Sequence, residues 1–429
     1  MNDRIEEQLR AQLHGIDRAP VSGGEAMAQR VQRAGRRVER RRRVGMGVAL
    51  TALIALGGAA VWNSSAVPDQ SSSADDTIAP TSNDSLQPEP SSTIGSPVGV
   101  SLPPPVDGWT PIPVGQRGAI TGAQVVWTGE LAVAVGGAFP DGGAAGVDTY
   151  DPETGAWRIV SLDARVMWPI ATWTGDSLLV VGWSELALNT VAVQLDIATG
   201  EWTEPVELPF GFKVVTSTPH AWTGSELLVL MGDRTMFFDP AANSWGKRGL
   251  APIAPRFDAA SVWTGREWLV WGGDATMTDG ALGDGAAFDP LTDTWRMLSD
   301  SPLSPRLAGG VWTGTELLIT AGRSSNSNGM MAYADGAAYD PATDTWRSLA
   351  DGPAHPGFQM AWDGTSLYLF AKGGMTRYDP ATDQWIDSFA GVPFCHDATS
   401  PVWTGAELIL LGCYDGTTGG AMLTPSART

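Results

Sequence analysis

Seven basic side chains stand at matching places along this chain: Arg117, Arg165, Lys213, Arg256, Arg306, His355 and His396. Each precedes a Trp-Thr-Gly or Trp-Asp-Gly tripeptide by six to ten residues. Cations gathered at one mouth with low-dielectric walls focus positive potential there and would recruit an acidic partner. The competing reading is structural, with each cation paired to an aspartate or to backbone carbonyls at the rim. Two tryptophans that belong to no repeat, Trp168 and Trp183, fall in loop stretches near Arg165. They would stack on a sugar or aromatic ligand, or fill a gap between loops. Cys395 and Cys413 flank Trp403-Thr404-Gly405. A three-residue hairpin loop pairing Val402 with Ala406 sets them opposite, and a strict two-residue turn leaves them one position out. Outside the cytoplasm such thiols are expected to form a disulfide.

The elements that position these residues come from a repeat. Trp-Thr-Gly starts at Trp127, Trp173, Trp222, Trp263, Trp312 and Trp403, with Trp362-Asp363-Gly364 in the series, at spacings of 46, 49, 41, 49, 50 and 41 residues. An apolar run such as ELAVAVGG or SELLVLMG follows each tripeptide, then an aromatic-Asp-Pro element, then a second Trp six residues after the Asp. Strand-like runs at periods of 40–50 residues mean a propeller. Tryptophan at 14 of its 19 places fills the two repeated positions, which is architecture rather than recognition. Long intervals fall between the apolar run and the Asp, and these variable loops share one face with the stretch that enters each Trp-Thr-Gly strand. That face is the candidate site.

YDPATDTWRSL with a preceding Gly-Gly resembles the Kelch repeat of the galactose oxidase/Kelch-like superfamily, and the resemblance spans 107–429. It implies an all-β, seven-bladed propeller. Seven Trp-Thr-Gly elements meet only six Asp…Trp units, and Gly108-Trp109-Thr110-Pro111-Ile112 matches the missing strand. The first strand should therefore complete the last blade and leave no open edge. Leu195-Asp196-Ile197 is the copy that departs furthest from the pattern.

The resemblance brings no catalytic set with it. Copper in galactose oxidase needs His and Tyr ligands plus a Cys-linked Tyr. Here His220, His355 and His396 lie in different blades and both cysteines in the last one. No Gly-x-Ser-x-Gly, His-Glu-x-x-His, phosphate loop or sialidase-type Asp box occurs. Asp274, Asp279 and Asp284 are five residues apart, which is not an EF-hand pattern. The expectation is no cofactor and no metal.

Charge separates the ends of the chain. Residues 1–44 hold 11 Arg and 6 acids, whereas the whole chain has 27 basic and 47 acidic residues and a net charge of −20. A general nucleic-acid binder is excluded on that balance. Arg40–Arg43 precede the uncharged run Val44–Trp62, about 28 Å as a helix at 1.5 Å per residue. The positive-inside rule places the N-terminus in the cytoplasm and the remainder outside, in a bacterial cell membrane protein with one span. A cleaved signal peptide is the alternative, with Ser64-Ser65-Ala66 as its cutting site. Ser22 to Glu25 forms a capping box that starts a basic juxtamembrane helix. The arrangement resembles membrane-bound anti-sigma factors but lacks their His/Cys zinc pattern, since His14 stands alone. Residues 63–106 are a Ser/Pro-rich disordered spacer. The domain reading is a cytoplasmic segment (1–43), a transmembrane helix (44–62), the linker (63–106) and a Kelch-like propeller (107–429). The functional reading is a protein- or glycan-binding module, with an enzyme acting on an anionic sugar as the competitor.

Overall fold

The computed structural model describes residues 108–425, except 117, 119, 121, 138–145, 162–165, 276–279, 327–328, 358, 372–373, 391–400 and 413–417. The expected cytoplasmic segment, membrane span and spacer lie outside the described residues. So do Arg117, Arg165, His396, Cys395 and Cys413.

Seven four-stranded antiparallel sheets form a seven-bladed β-propeller, and no helix occurs among the described residues. Blade 1 is Gln124–Trp127, Ala132–Val135, Val147–Asp151 and Ala156–Ser161. Blade 2 is Met167–Trp173, Leu178–Ser184, Asn189–Leu195 and Val206–Glu207. Blade 3 is His220–Trp222, Leu227–Met231, Arg234–Asp239 and Ser244–Leu250. Blades 4, 5 and 6 span 260–297, 311–349 and 360–390. Within each blade the four strands are called a to d in this order. The a strands of blades 1 and 2, 3 and 4, 4 and 5, 5 and 6, 6 and 7, and 7 and 1 are neighbours, so strand a is innermost.

Blade 7 closes as the strand count requires. Trp109–Ile112 pairs antiparallel with Gly420–Leu423, Trp109 opposite Leu423 and Ile112 opposite Gly420. The sheet order is then Trp109–Ile112, Gly420–Leu423, Leu408–Leu411, Val402–Trp403. The b strands are buried among the described residues apart from the half-buried Trp183, and seven apolar clusters lie between consecutive blades. Trp109, for example, is buried against Tyr368, Phe370 and Leu410 of blades 6 and 7.

Two turns are repeated because their residues are. After the first Trp, the Thr hydroxyl accepts backbone N–H groups two and three residues on, as Thr128 does from Glu130 and Leu131. The next residue is Gly at φ between 92° and 110° in all seven copies. No atom would crowd a Cβ there, so the left-handed backbone alone selects glycine. Each such loop has four residues, as Trp403 pairs with Leu408 and Val402 with Ile409. This corrects the three-residue loop expected from the sequence and places the cysteine register argument three positions out. In the c–d turn the Asp carboxylate accepts the N–H groups two and three residues on, as Asp196 does from Ala198 and Thr199.

The c–d turn also joins the blades. Four residues after the Asp, the chain takes positive φ at Asn243, Asp293, Asp344 and Asp383, or at Gly155 and Gly200. The Asp293 carboxylate accepts Gly249 N–H, Asp344 accepts Ser299 N–H and Asp383 accepts Ala350 N–H, each from the preceding blade. Trp346 Nε1–H and Trp385 Nε1–H donate to the carbonyls of the same Ser299 and Ala350. A two-point clamp results. Blade 2 departs where its sequence does: Trp202 makes only a bridge to Leu195, and Pro205, with no N–H, delays strand d to Val206–Glu207.

Candidate functional site

Both repeated turns lie at one end of the blades, so the variable b–c and d–a loops emerge together at the other. Blade 5 carries a hairpin there, Arg323–Asn326 with Gly329–Ala332. Blade 3 has only the tight turn Gly232-Asp233 between strands b and c.

Four of the seven basic positions are described, and they have different fates. Arg256 is 2% exposed. Its guanidinium donates to the carbonyls of Ala254, Gly272 and Asp284 and to the Asp284 carboxylate at 3.0 Å. Arg306 is fully buried. It donates to Ser304 and Ala321 carbonyls, holds both Asp335 carboxylate oxygens at 2.7 and 2.9 Å, and lies 3.9 Å from the Tyr333 ring centroid. These two arginines staple the d–a stretch to the b–c loop of the same blade. Their donors are consumed by the scaffold and face no open mouth. Asp284 is thereby explained as a staple partner, while Asp274 is buried in a bridge to Phe257 and Ala281, and Asp279 lies outside the described residues. No metal-ligating group of three occurs among the described residues.

His355 is half-buried, with Gly357 N–H donating to its Nδ1 at 3.0 Å. Burial pushes its pKa below the ordinary imidazole value, which works against its charging. His220, on the inner strand of blade 3, is likewise shifted down by burial, and its Nδ1 meets Thr218 O at 2.8 Å.

Lys213 is the exception. It is exposed, and its Nζ stands 4.0 Å from the Trp168 ring centroid and 5.4 Å from that of Trp183. The sequence expectation of two loop tryptophans becomes a strand arrangement: Trp183 is the last residue but one of strand b, and Met167 of strand a pairs with it across a bulge. Trp168 is 44% exposed at φ 50°. A bulky residue in that region costs about 1–2 kcal/mol, and the following Pro169 restricts it further. Gly182 permits the approach, because a Cβ there would lie 2.8 Å from Met167 O.

The strip continues into blade 3 through residues the sequence reading did not single out. Phe210 is exposed and lies under the Arg234 guanidinium, 5.6 Å from centroid to carbon. Leu250, opposite Arg234 in the sheet, is exposed. In the b–c turn of blade 2 Leu186 is 97% exposed, and Leu188 is exposed at φ 51°. Among the described residues, Trp168 and Leu188 are the large apolar side chains held at positive φ. The available signal was Phe210-Gly211-Phe212, an aromatic pair with no counterpart in the d–a stretches of the other blades.

Comparison with known proteins adds nothing to what the blades themselves show. No family model matches the chain, and no curated protein matches it. A solved structure titled "Structure of YjhT" is similar, at 17% identity over 48% of this chain and 74% of that chain, with a TM-score of 0.37. A score that low carries no argument.

At the inner edge of blade 4, Asp258 has φ 50°, its N–H donates to Ser217 O and its carbonyl accepts Ala308 N–H, linking three blades. Burial raises the pKa of its carboxyl, nearby Arg323 opposes the rise and Asp274 adds to it.

Proposed function

We propose that the protein is a Kelch-like propeller, anchored in a bacterial cell membrane by residues 44–62 and held outside the cytoplasm by the 63–106 spacer. It acts as a binding module for a protein or glycan partner. The observation that carries the reading is the strip on blades 2 and 3, where Trp168 is kept exposed at an unfavourable backbone angle beside Trp183 and Lys213. Such an arrangement is not explained by packing, because a buried or relaxed tryptophan would cost less. Arg256 and Arg306 support the loops of blades 4 and 5 from within, and of the basic positions described it is Lys213 that belongs to the candidate site.

The test places a photo-crosslinking residue at Leu186 on the loop face and, separately, at Thr343 in a c–d turn at the opposite end, in cells producing the full chain. Adducts to a partner form from position 186 and not from 343. Identical adducts from both, or none from 186, overturn the reading. Anchoring is checked by adding protease to intact cells, which removes the propeller and spares the tail; an ectodomain released without protease, starting near Val67, supports the signal peptide instead. The extracytoplasmic placement also carries a Cys395–Cys413 disulfide, and two free thiols in the unfolded, unreduced chain would refute it.

Asp258 favours a second reading, an enzyme acting on an anionic sugar. A carboxyl of raised pKa beside Arg323 at the inner edge has the chemistry of a general acid or base. Deuterium incorporation from D2O into a panel of carboxylated sugars, lost in Asp258→Asn, supports it. No incorporation with any of them sinks it.

A further inference from the structure

We propose that the strip across blades 2 and 3 docks an acidic peptide segment of a partner protein, with apolar side chains set between its carboxylates. This rests on the loop-face reading and names its occupant.

Charge is the first ground. The chain carries −20 overall, and three arginines of its outer strands are matched to carboxylates: Arg248 to Glu226, Arg296 to Glu267 and Arg347 to Glu316. Lys213 and Arg234 are exposed and, among the described residues, neither has a carboxylate within ion-pair distance. Even Asp233, next to Arg234 in the chain, does not pair with it. Arg158 and Lys247 also lack a carboxylate partner among the described residues. Lys213 and Arg234, however, are the two that cap exposed aromatic rings on blades 2 and 3, and unmatched cations there complement an acidic ligand.

The second ground is which faces are open. Lys213 covers a face of Trp168, and Arg234 covers a face of Phe210. A pyranose needs a bare ring face to stack on, and these are already capped. A carboxylate instead approaches the capping cation from its solvent side and gains from both the charge and the ring beneath it. The third ground is the aliphatic rim. Leu188 and Leu250 are exposed without a covering element. Side chains of that kind bury against apolar residues of a peptide, not against sugar hydroxyls. Holding Trp168 and Leu188 at positive φ sets these anchors in place before the partner arrives.

The experiment selects a displayed random-peptide library on the immobilised full-length chain at low salt. Enriched peptides carry two or more Asp or Glu interspersed with Leu, Ile, Met, Phe or Trp. A synthetic copy of the commonest peptide binds, and the double change Lys213→Glu, Arg234→Glu weakens it on the order of tenfold. The conservative double change Lys213→Arg, Arg234→Lys leaves affinity within about threefold, and both variants melt with the parent because the side chains are exposed. Raising salt from about 50 to about 300 mM weakens binding several-fold. Neutral or basic enriched peptides, or acidic ones indifferent to the charge reversal, overturn the proposal. Peptides displaced by oligogalacturonate that binds the strip more tightly make an acidic glycan the occupant and leave the loop-face reading standing. Peptides indifferent to Trp168→Ala, Leu188→Asp and the charge reversal alike bind elsewhere, and both readings fall.

Discussion

Replacing Arg306 by Met separates a scaffold arginine from a ligand-binding one. In the protein its guanidinium is fully enclosed, bidentate to Asp335, and bonded to the carbonyls of Ser304 and Ala321. Methionine fills much of the stem volume and leaves those acceptors unmatched. Removing one partner of a buried pair costs about 3–5 kcal/mol. The Asp335 side chain is 44% exposed and is partly rehydrated, so the loss falls at the lower end, about 3 kcal/mol. At roughly 2 °C per kcal/mol for a domain of this size, melting should drop by about 6 °C. Lys213→Met is the control: an exposed cation–π contact contributes about 0.5–1 kcal/mol, so melting shifts by about 2 °C at most. Thermal unfolding followed by tryptophan fluorescence, with binding measured per folded molecule, reads both. The argument fails if Arg306→Met melts within about 2 °C of the parent, or if it loses more binding than Lys213→Met while folded.

Trp168→Gly should change stability little, because the relief of positive φ, which glycine adopts freely, offsets the lost contacts of an indole that is 44% exposed. Partner binding is lost in the same variant, and a melting temperature several degrees lower would show that the indole is a packing element after all. Tyr339 and Tyr378 donate to Asp344 and Asp383, and these bonds hold both carboxyls below their ordinary value. A depressed folded pKa contributes stability above the unfolded value near 3.9 and loses it as pH falls through the folded pKa. Asp344→Asn with Asp383→Asn should therefore flatten the fall in melting temperature below about pH 4, and an unchanged fall between pH 5 and 3 refutes it.

The propeller was legible because its punctuation is local. Trp-Thr-Gly states its own turn, the Asp and the second Trp state theirs, and the missing seventh strand is visible at Trp109. The basic ring was legible as a pattern and not as a function. Arg256 and Arg306 differ from Lys213 through carboxylates about 30 residues away, Asp284 and Asp335, each standing just before strand c of its blade. Blade 3 has only a two-residue turn at that point, so nothing comes forward to take up Lys213, and its ammonium turns to the tryptophans of blade 2. Sequence position sets where a cation starts, and loop length sets what it meets. Phe210 and Arg234 were missed for a related reason: they meet across a blade boundary, which no periodicity announces.

Closure of blade 7 by Trp109–Ile112 imposes an order on biosynthesis. The first strand to leave the ribosome has its partner, Gly420–Leu423, about 300 residues behind it. At about 5–20 residues per second that is a wait of roughly 15–60 s. Blades 1 to 6 hold all their strands in one continuous stretch and can pair as they emerge. Trp109 meanwhile has neither its sheet partner nor the blade 7 side of its pocket, and the ring stays open. A ribosome stalled short of Gly420 would therefore leave six complete sheets, an unclosed ring and a loose hydrophobic strand for chaperones or proteases to find.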